Sequence, residues 1–170
     1  MANTSYLRRE VEKYVRAQLA QEFHQPFAAE FLRLVPGGRH EFDAVSADHN
    51  VIGSVKSASG LTSGGRIPSG KIKDCIAELY YLSLVEAPIR RLVLTTPSFF
   101  EIFVKTTHGA VAAGIEVVCL PLPEEIQKQV DLVVRVASRE VAPAAVSAAI
   151  AAEVETELDA SGNGQTRGSA

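Results

Sequence analysis

The sequence predicts an α/β protein built on one mixed β-sheet with helices on both faces. Three observations carry that prediction. Three short segments between residues 28 and 58 are joined by tight turns, which makes neighbouring strands antiparallel. Two nearly continuous apolar runs, RRLVLTT (90–96) and IEVVCLPL (115–122), are separated by a helical stretch, the pattern of parallel strands buried on both faces. Amphipathic segments precede the first group and fill the connections of the second.

The elements follow in order. Residues 4–24 place Leu7, Val11, Tyr14, Val15 and Gln18 at helical spacing, and Pro26 suits the end of that helix. AAEFLRLV (28–35) reads as a strand closed by the turn Pro36-Gly37-Gly38. HEFDAVSAD (40–48) and VIGSVKSA (51–58) read as a second and third strand around His49-Asn50. The loop SGLTSGGRIPSG leads to a helix from about Lys71 to Glu86, stopped near Pro88. After the strand at 90–96, Pro97-Ser98 opens a helix expected to reach Ala113, with Gly114 as its stop. Pro123-Glu124-Glu125 begins another helix, although VDLVVRV within it also admits a strand. An alanine-rich helix is expected at 143–158 and a flexible tail at 159–170, leaving 1–142 as the α/β domain with extra C-terminal helices.

Composition narrows the function. No apolar run reaches the roughly 20 residues of a membrane span, so no membrane partner is expected. The N-terminal residues carry no apolar signal core, and two cysteines, Cys75 and Cys119, lack C-x-x-C spacing; both suggest a cytoplasmic protein with reduced thiols. The net charge of -3 is uneven: residues 1–123 hold 13 Lys/Arg against 12 Asp/Glu, residues 124–170 hold 4 against 8. A near-neutral body permits DNA binding without demanding it.

GRIPSGKI (65–72) nearly matches the phosphate-binding pattern G-x-x-x-x-G-K-[ST], but Ile72 stands where a hydroxyl should hold magnesium. Pro68 removes a backbone N–H, so no nucleotide cofactor is expected. His40, His49 and His108 have no metal-ligand spacing, and no G-x-S-x-G serine signature is present.

The remaining constellation is Asp43 with Lys56. Alternation puts Asp43 on the face of Glu41 and Lys56 on the face of Ser54, and a hairpin would bring Asp43 and Lys56 into one shallow cleft. Magnesium takes hard oxygen ligands, and Asp43 with the carbonyl of Val55 can supply two. A lysine beside them can orient or help deprotonate a water. An ordinary cross-strand ion pair between Asp43 and Lys56 is the competing reading, worth about 0.2–1 kcal/mol.

The order helix, strand, strand with Asp, strand with x-x-K, helix, strand, helix, strand over residues 4–122 resembles the PD-(D/E)XK nuclease superfamily, with its restriction-endonuclease-like fold. The resemblance implies a Mg- or Mn-dependent DNA endonuclease, a phosphodiester hydrolase, with Asp43 as metal ligand and Lys56 as catalytic lysine. The sequence departs from the motif at Ser54, where an acid is expected. Some members carry serine there and take a glutamate from the following helix. On that helix Ile72, Cys75, Ile76, Leu79 and Leu82 form the apolar face, and Glu78 falls at its rim, about 100° from the centre. Glu78 is therefore the expected replacement acid, with Glu41 and Glu12 or Glu10 as alternatives. Arg39, His40, Arg66, Lys71 and Lys73 are candidate contacts to the DNA backbone, with solvent-exposed charges as the competing reading. The rival is a catalytically inactive member of the same fold that binds DNA or protein, and a homodimer is compatible with either.

Overall fold

The computed structural model describes residues 4–58 and 67–139. The expected helix at 143–158, the tail at 159–170 and Arg66 lie outside the described residues. The chain divides into two compact units, Ser5–Gln127 and a second comprising Met1–Thr4 with Lys128–Ala170. The first unit carries the sheet and the candidate site.

The element order is α1 (Thr4–Phe23), β1 (Phe27–Arg33), β2 (Arg39–Ser46), β3 (Val51–Lys56), α2 (Ser69–Ser83), β4 (Ile89–Leu94), α3 (Pro97–Thr107), β5 (Ile115–Cys119) and α4 (Glu124–Arg139). The five strands form one mixed sheet in the order β1-β2-β3-β4-β5, with the first two pairings antiparallel and the last two parallel. Both parallel links pass through a helix, as parallel neighbours require. The ambiguous VDLVVRV segment is helical, inside α4.

Alternation sorts the strand residues onto two faces. Ile52, Leu92 and Leu94 join Cys75, Leu79 and Leu82 of α2 and Phe99 and Phe103 of α3 in the main core cluster. The two phenylalanines are fully buried, each contributing about 1.5–3 kcal/mol by transfer from water. The opposite face receives α1. Its stripe Val11, Val15 and Leu19 is buried, and at its C-terminal end Glu22 and Phe23 hold Arg91 of β4 by an ion pair at 2.8 Å and a ring contact.

Several local expectations change. Ile76, assigned to the apolar face of α2, is 48% exposed, because Cys75, Leu79 and Leu82 already fill the surface that α2 presents to the sheet. α3 stops at Thr107 rather than Ala113: His108 takes the left-handed conformation and Gly109 follows it with positive φ. Helix α2 starts at Ser69, and Ile72, the residue that spoils the phosphate-binding pattern, is buried in the core. Among the described residues no helix is long and apolar enough to cross a membrane.

Candidate functional site

The sheet is weakest between β2 and β3, and that is where Asp43 lies. Only Ala44↔Gly53 and Val45↔Ile52 pair across this seam. On either side of them a side chain replaces the backbone partner. Ser46 Oγ accepts the N–H of Val51 at 2.9 Å, and Asp43 Oδ2 accepts the N–H of Val55 at 2.7 Å. The β1–β2 register also shifts between Ala28 and Glu30, so β2 carries one extra residue opposite that step, at Asp43-Ala44. A bulge of this kind re-aims a side chain, and here it turns the Asp43 carboxylate into the opening fork.

Helix α1 closes over the fork. Arg16 Nη1 donates to the backbone carbonyl of Asp43 at 2.7 Å, and Arg8 Nη2 stands 3.3 Å from Asp43 Oδ1. Glu12 joins the two arginines, 2.6 Å from Arg8 Nε and 3.6 Å from Arg16 Nη1. Arg8, Arg9, Glu12, Ala29, Glu41 and Asp43 line an open cleft of about 240 Å³. Burial pushes the Asp43 carboxyl above the usual aspartate range, with the charge of Glu12 adding to it; the Val55 N–H, Lys56 and Arg8 oppose the rise without cancelling it.

Lys56 does not share that cleft. Its ammonium lies 2.7 Å from Glu78 Oε1, and the second oxygen, Glu78 Oε2, is 3.3 Å from His40 Nε2. The cross-strand ion pair Asp43–Lys56 is therefore replaced by two separate pairs, Asp43–Arg8 and Lys56–Glu78. The reason is the pleat: Lys56 shares the α2 face with Ile52 and Ser54, whereas Asp43 faces α1. Burial would raise the Glu78 carboxyl, but hydrogen bonding to Lys56, the lysine's charge, Ser54 and His40 outweigh it and hold Glu78 below the usual glutamate range. Ser54 Oγ is fully buried and makes no hydrogen bond of good geometry, although it stands near enough to Glu78 to favour its ionised form.

The predicted site residues thus fall into two clusters on either side of β3. Asp43, Glu12 and Glu41 gather under α1; Lys56, Glu78 and Ser54 gather under α2. Lys56 is the electrostatic link, since its charge acts on both Asp43 and Glu78. Val55 lies between them, and because its N–H points toward β2 its carbonyl leaves the strand on the same edge, into the fork. Among the described residues no group of three or more His, Cys, Asp or Glu side chains could hold a metal ion. Lys71 and Lys73 are exposed on the first turns of α2. Arg39 is exposed too, but its guanidinium donates to the Phe31 carbonyl at 3.3 Å and lies over the Phe31 ring.

Arg8 and Arg16 were not among the site residues expected from sequence, and His40 was expected only as a contact to the DNA backbone, not as a partner of Glu78. For the arginines a signal existed: 8, 12 and 16 lie on one face of α1, so an arginine–glutamate–arginine row was readable. For His40 the signal was alternation, which places it on the face opposite Glu41 and Asp43. No family model, no curated protein and no solved structure matches this chain.

Proposed function

We propose that the chain is a divalent-metal-dependent DNA endonuclease of restriction-endonuclease-like fold, hydrolysing a phosphodiester bond at the β2–β3 fork. The observation that carries this reading is the placement of Asp43 in the fork with Lys56 and Glu78 joined 2.7 Å apart across the adjacent strand. Magnesium or manganese prefers hard oxygens, and at the fork Asp43 and the Val55 carbonyl would hold it with water completing the shell. Glu78, expected as a second acid, pairs with Lys56 on the α2 face and is not part of that donor set. A bound cation would supply neutralisation of phosphate charge and a more acidic water.

The protein's own residues supply the rest. Asp43 is oriented by the Val55 N–H and fixed in place through the Arg16 contact to its carbonyl. Lys56 offers an ammonium that can orient the attacking water and offset charge on the phosphate. Glu78 keeps that ammonium at the end of β3. Arg8, with its side chain 68% exposed, can exchange its grip on Asp43 for a phosphate oxygen.

One observation favours the rival, an inactive nuclease fold serving as a DNA- or protein-binding module. The Arg8 guanidinium already bridges Asp43 and Glu12, a place a metal cation would otherwise take. Incubation with supercoiled plasmid and Mg²⁺ or Mn²⁺ separates the two. Nicking by wild type that falls at least about 100-fold in Asp43→Ala and in Lys56→Ala supports the enzyme. DNA binding without nicking, unchanged in both variants, supports the module.

A further inference from the structure

We infer that the α1-side surface of the β1–β2 hairpin is a track for single-stranded nucleic acid: Phe31 stacks on a base, and Arg33, Arg39, Arg8 and Arg9 take the phosphates around it. The track goes beyond the endonuclease reading and is independent of it, because it needs neither a metal nor a cleavage step.

Register and alternation put these residues together. Phe31 pairs with Glu41 and Arg33 with Arg39, and cross-strand partners and alternate residues share a face. The intervening pair, Leu32 and His40, turns to the other face, where Leu32 packs on the main core and His40 stacks on Tyr81. Glu41 also lines the cleft that holds Arg8, Arg9 and Asp43. The hairpin surface and that cleft are therefore continuous.

Phe31 is 54% exposed on an edge strand, and its neighbours on that face are charged rather than apolar. Arg39 holds its guanidinium over the ring, 5.9 Å from the centroid, and donates to the Phe31 carbonyl at 3.3 Å. A guanidinium carries several N–H donors in a fixed plane, so one contact to the backbone leaves others for a phosphate oxygen. Beside the ring is a hollow of about 530 Å³ lined by Phe31, Leu32, Arg33, Gly38 and Arg39. Gly37 and Gly38 both have positive φ, and a Cβ built on Gly38 would meet nothing within 4 Å, so the turn leaves this hollow open. An exposed ring flanked by arginines is the combination that binds bases by stacking and the backbone by charge. The residues lining the hollow and the cleft include four exposed arginines and one exposed carboxylate, Glu41; Glu12 is engaged by Arg8 and Arg16. That balance favours a polyanion. The strand is single because in a duplex the faces of each base are covered by its neighbours.

The test is fluorescence anisotropy on the full chain in EDTA, where no metal-dependent cleavage intervenes. The probes are an oligothymidylate and an oligouridylate of about 20 nucleotides, longer than one site of this kind, and a duplex of equal length. Binding of either strand in preference to the duplex is expected, and the tighter of the two names the sugar. Phe31→Ala should weaken it about 5–100-fold and Phe31→Leu nearly as much, while Phe31→Tyr keeps it. None of the three should alter the salt dependence. Arg33→Gln/Arg39→Gln and Arg8→Gln/Arg9→Gln should each flatten the log–log salt slope by about 1.4. Lys105→Gln, on α3 against the other face, should leave the slope as it is. Phe31 lies outside the core cluster, so its variants should fold; if Phe31→Ala does not, Phe31→Leu against Phe31→Tyr carries the comparison. Wild-type affinity in folded Phe31→Ala overturns the inference, and so does binding confined to the duplex. Failure to bind either strand at low salt also overturns it, and plasmid nicking with Mn²⁺ would then leave the endonuclease reading standing alone. Strand binding by a chain that never nicks plasmid supports the track and removes the endonuclease. A wild-type dimer that Phe31→Ala disperses in sedimentation, with no strand bound, overturns the track in favour of an interface between two copies of this chain.

Discussion

Lys56 Nζ stands 2.7 Å from Glu78 Oε1 across the junction between β3 and α2, with both side chains largely withdrawn from water. This contact fastens the end of β3 to α2. Removing either partner leaves the other charge poorly solvated, so Lys56→Ala should destabilise the fold by about 1.5–3 kcal/mol. Lys56→Ala/Glu78→Ala should recover part of that loss. A double-mutant cycle by urea denaturation measures the coupling.

Asp43 predicts the opposite sign. Its carboxyl is raised by burial, so the folded state holds its proton more tightly than the unfolded state does. The stability that follows is present at low pH and lost as pH rises through the folded-state value, leaving ionised Asp43 a net cost at neutral pH. Asp43→Asn keeps an acceptor for the Val55 N–H without the charge. It should raise Tm by about 2–4 °C at neutral pH, the effect of roughly 1 kcal/mol in a chain of this size. It should also abolish metal-dependent nicking, and calorimetric scans at several pH values should show the gain in Tm shrinking on acidification.

Glu78 behaves in the ordinary way for a paired carboxylate. Its folded-state value is lowered, so the stability it provides is present above the unfolded glutamate value and disappears as pH falls through the folded one. Between about pH 6 and pH 3 the Tm of wild type should fall faster than that of Glu78→Gln. Parallel slopes would show that Glu78 is not held by Lys56 in solution.

Cys75 is a reporter of the intact site. It is buried, its thiol pushed up to about 12 chiefly by burial, and Lys56 and Glu78 act on it electrostatically. Since the thiolate is the reactive form, Ellman's reagent at pH 8 should label Cys75 far more slowly than the partly exposed Cys119. Cys119→Ser isolates the Cys75 signal, and its rate should rise steeply at the urea midpoint.

Much of the framework was readable before any coordinates. Periodicity placed the mixed sheet and its connecting helices, because buried parallel strands and amphipathic helices leave distinct apolar patterns. Helical phase alone put Glu78 at the rim of α2, and the structure finds it there, half inside and turned to Lys56. The pairing of Asp43 with Lys56 failed because alternation within each strand gives relative faces, while which face meets which helix depends on tertiary packing. His40 reaches Glu78 across 38 positions of sequence and Arg8 reaches Asp43 across 35. No local pattern encodes contacts of that span. The early end of α3 was missed for another reason: His108 in the left-handed region ends the helix where the apolar pattern still continues.

The short β2–β3 seam gives the molecule a clasp that doubles as a sensor. With two residue pairs between the β1–β2 hairpin and the parallel half of the sheet, the Val55 N–H bond to Asp43 is a sizeable part of what keeps the halves together. Anything that draws the Asp43 carboxylate away from Val55 loosens the clasp, and by reciprocity anything that loosens the hairpin frees the carboxylate. Occupancy at the fork is therefore written into the solvent exchange of one amide, that of Val55, which bonds the carboxylate itself.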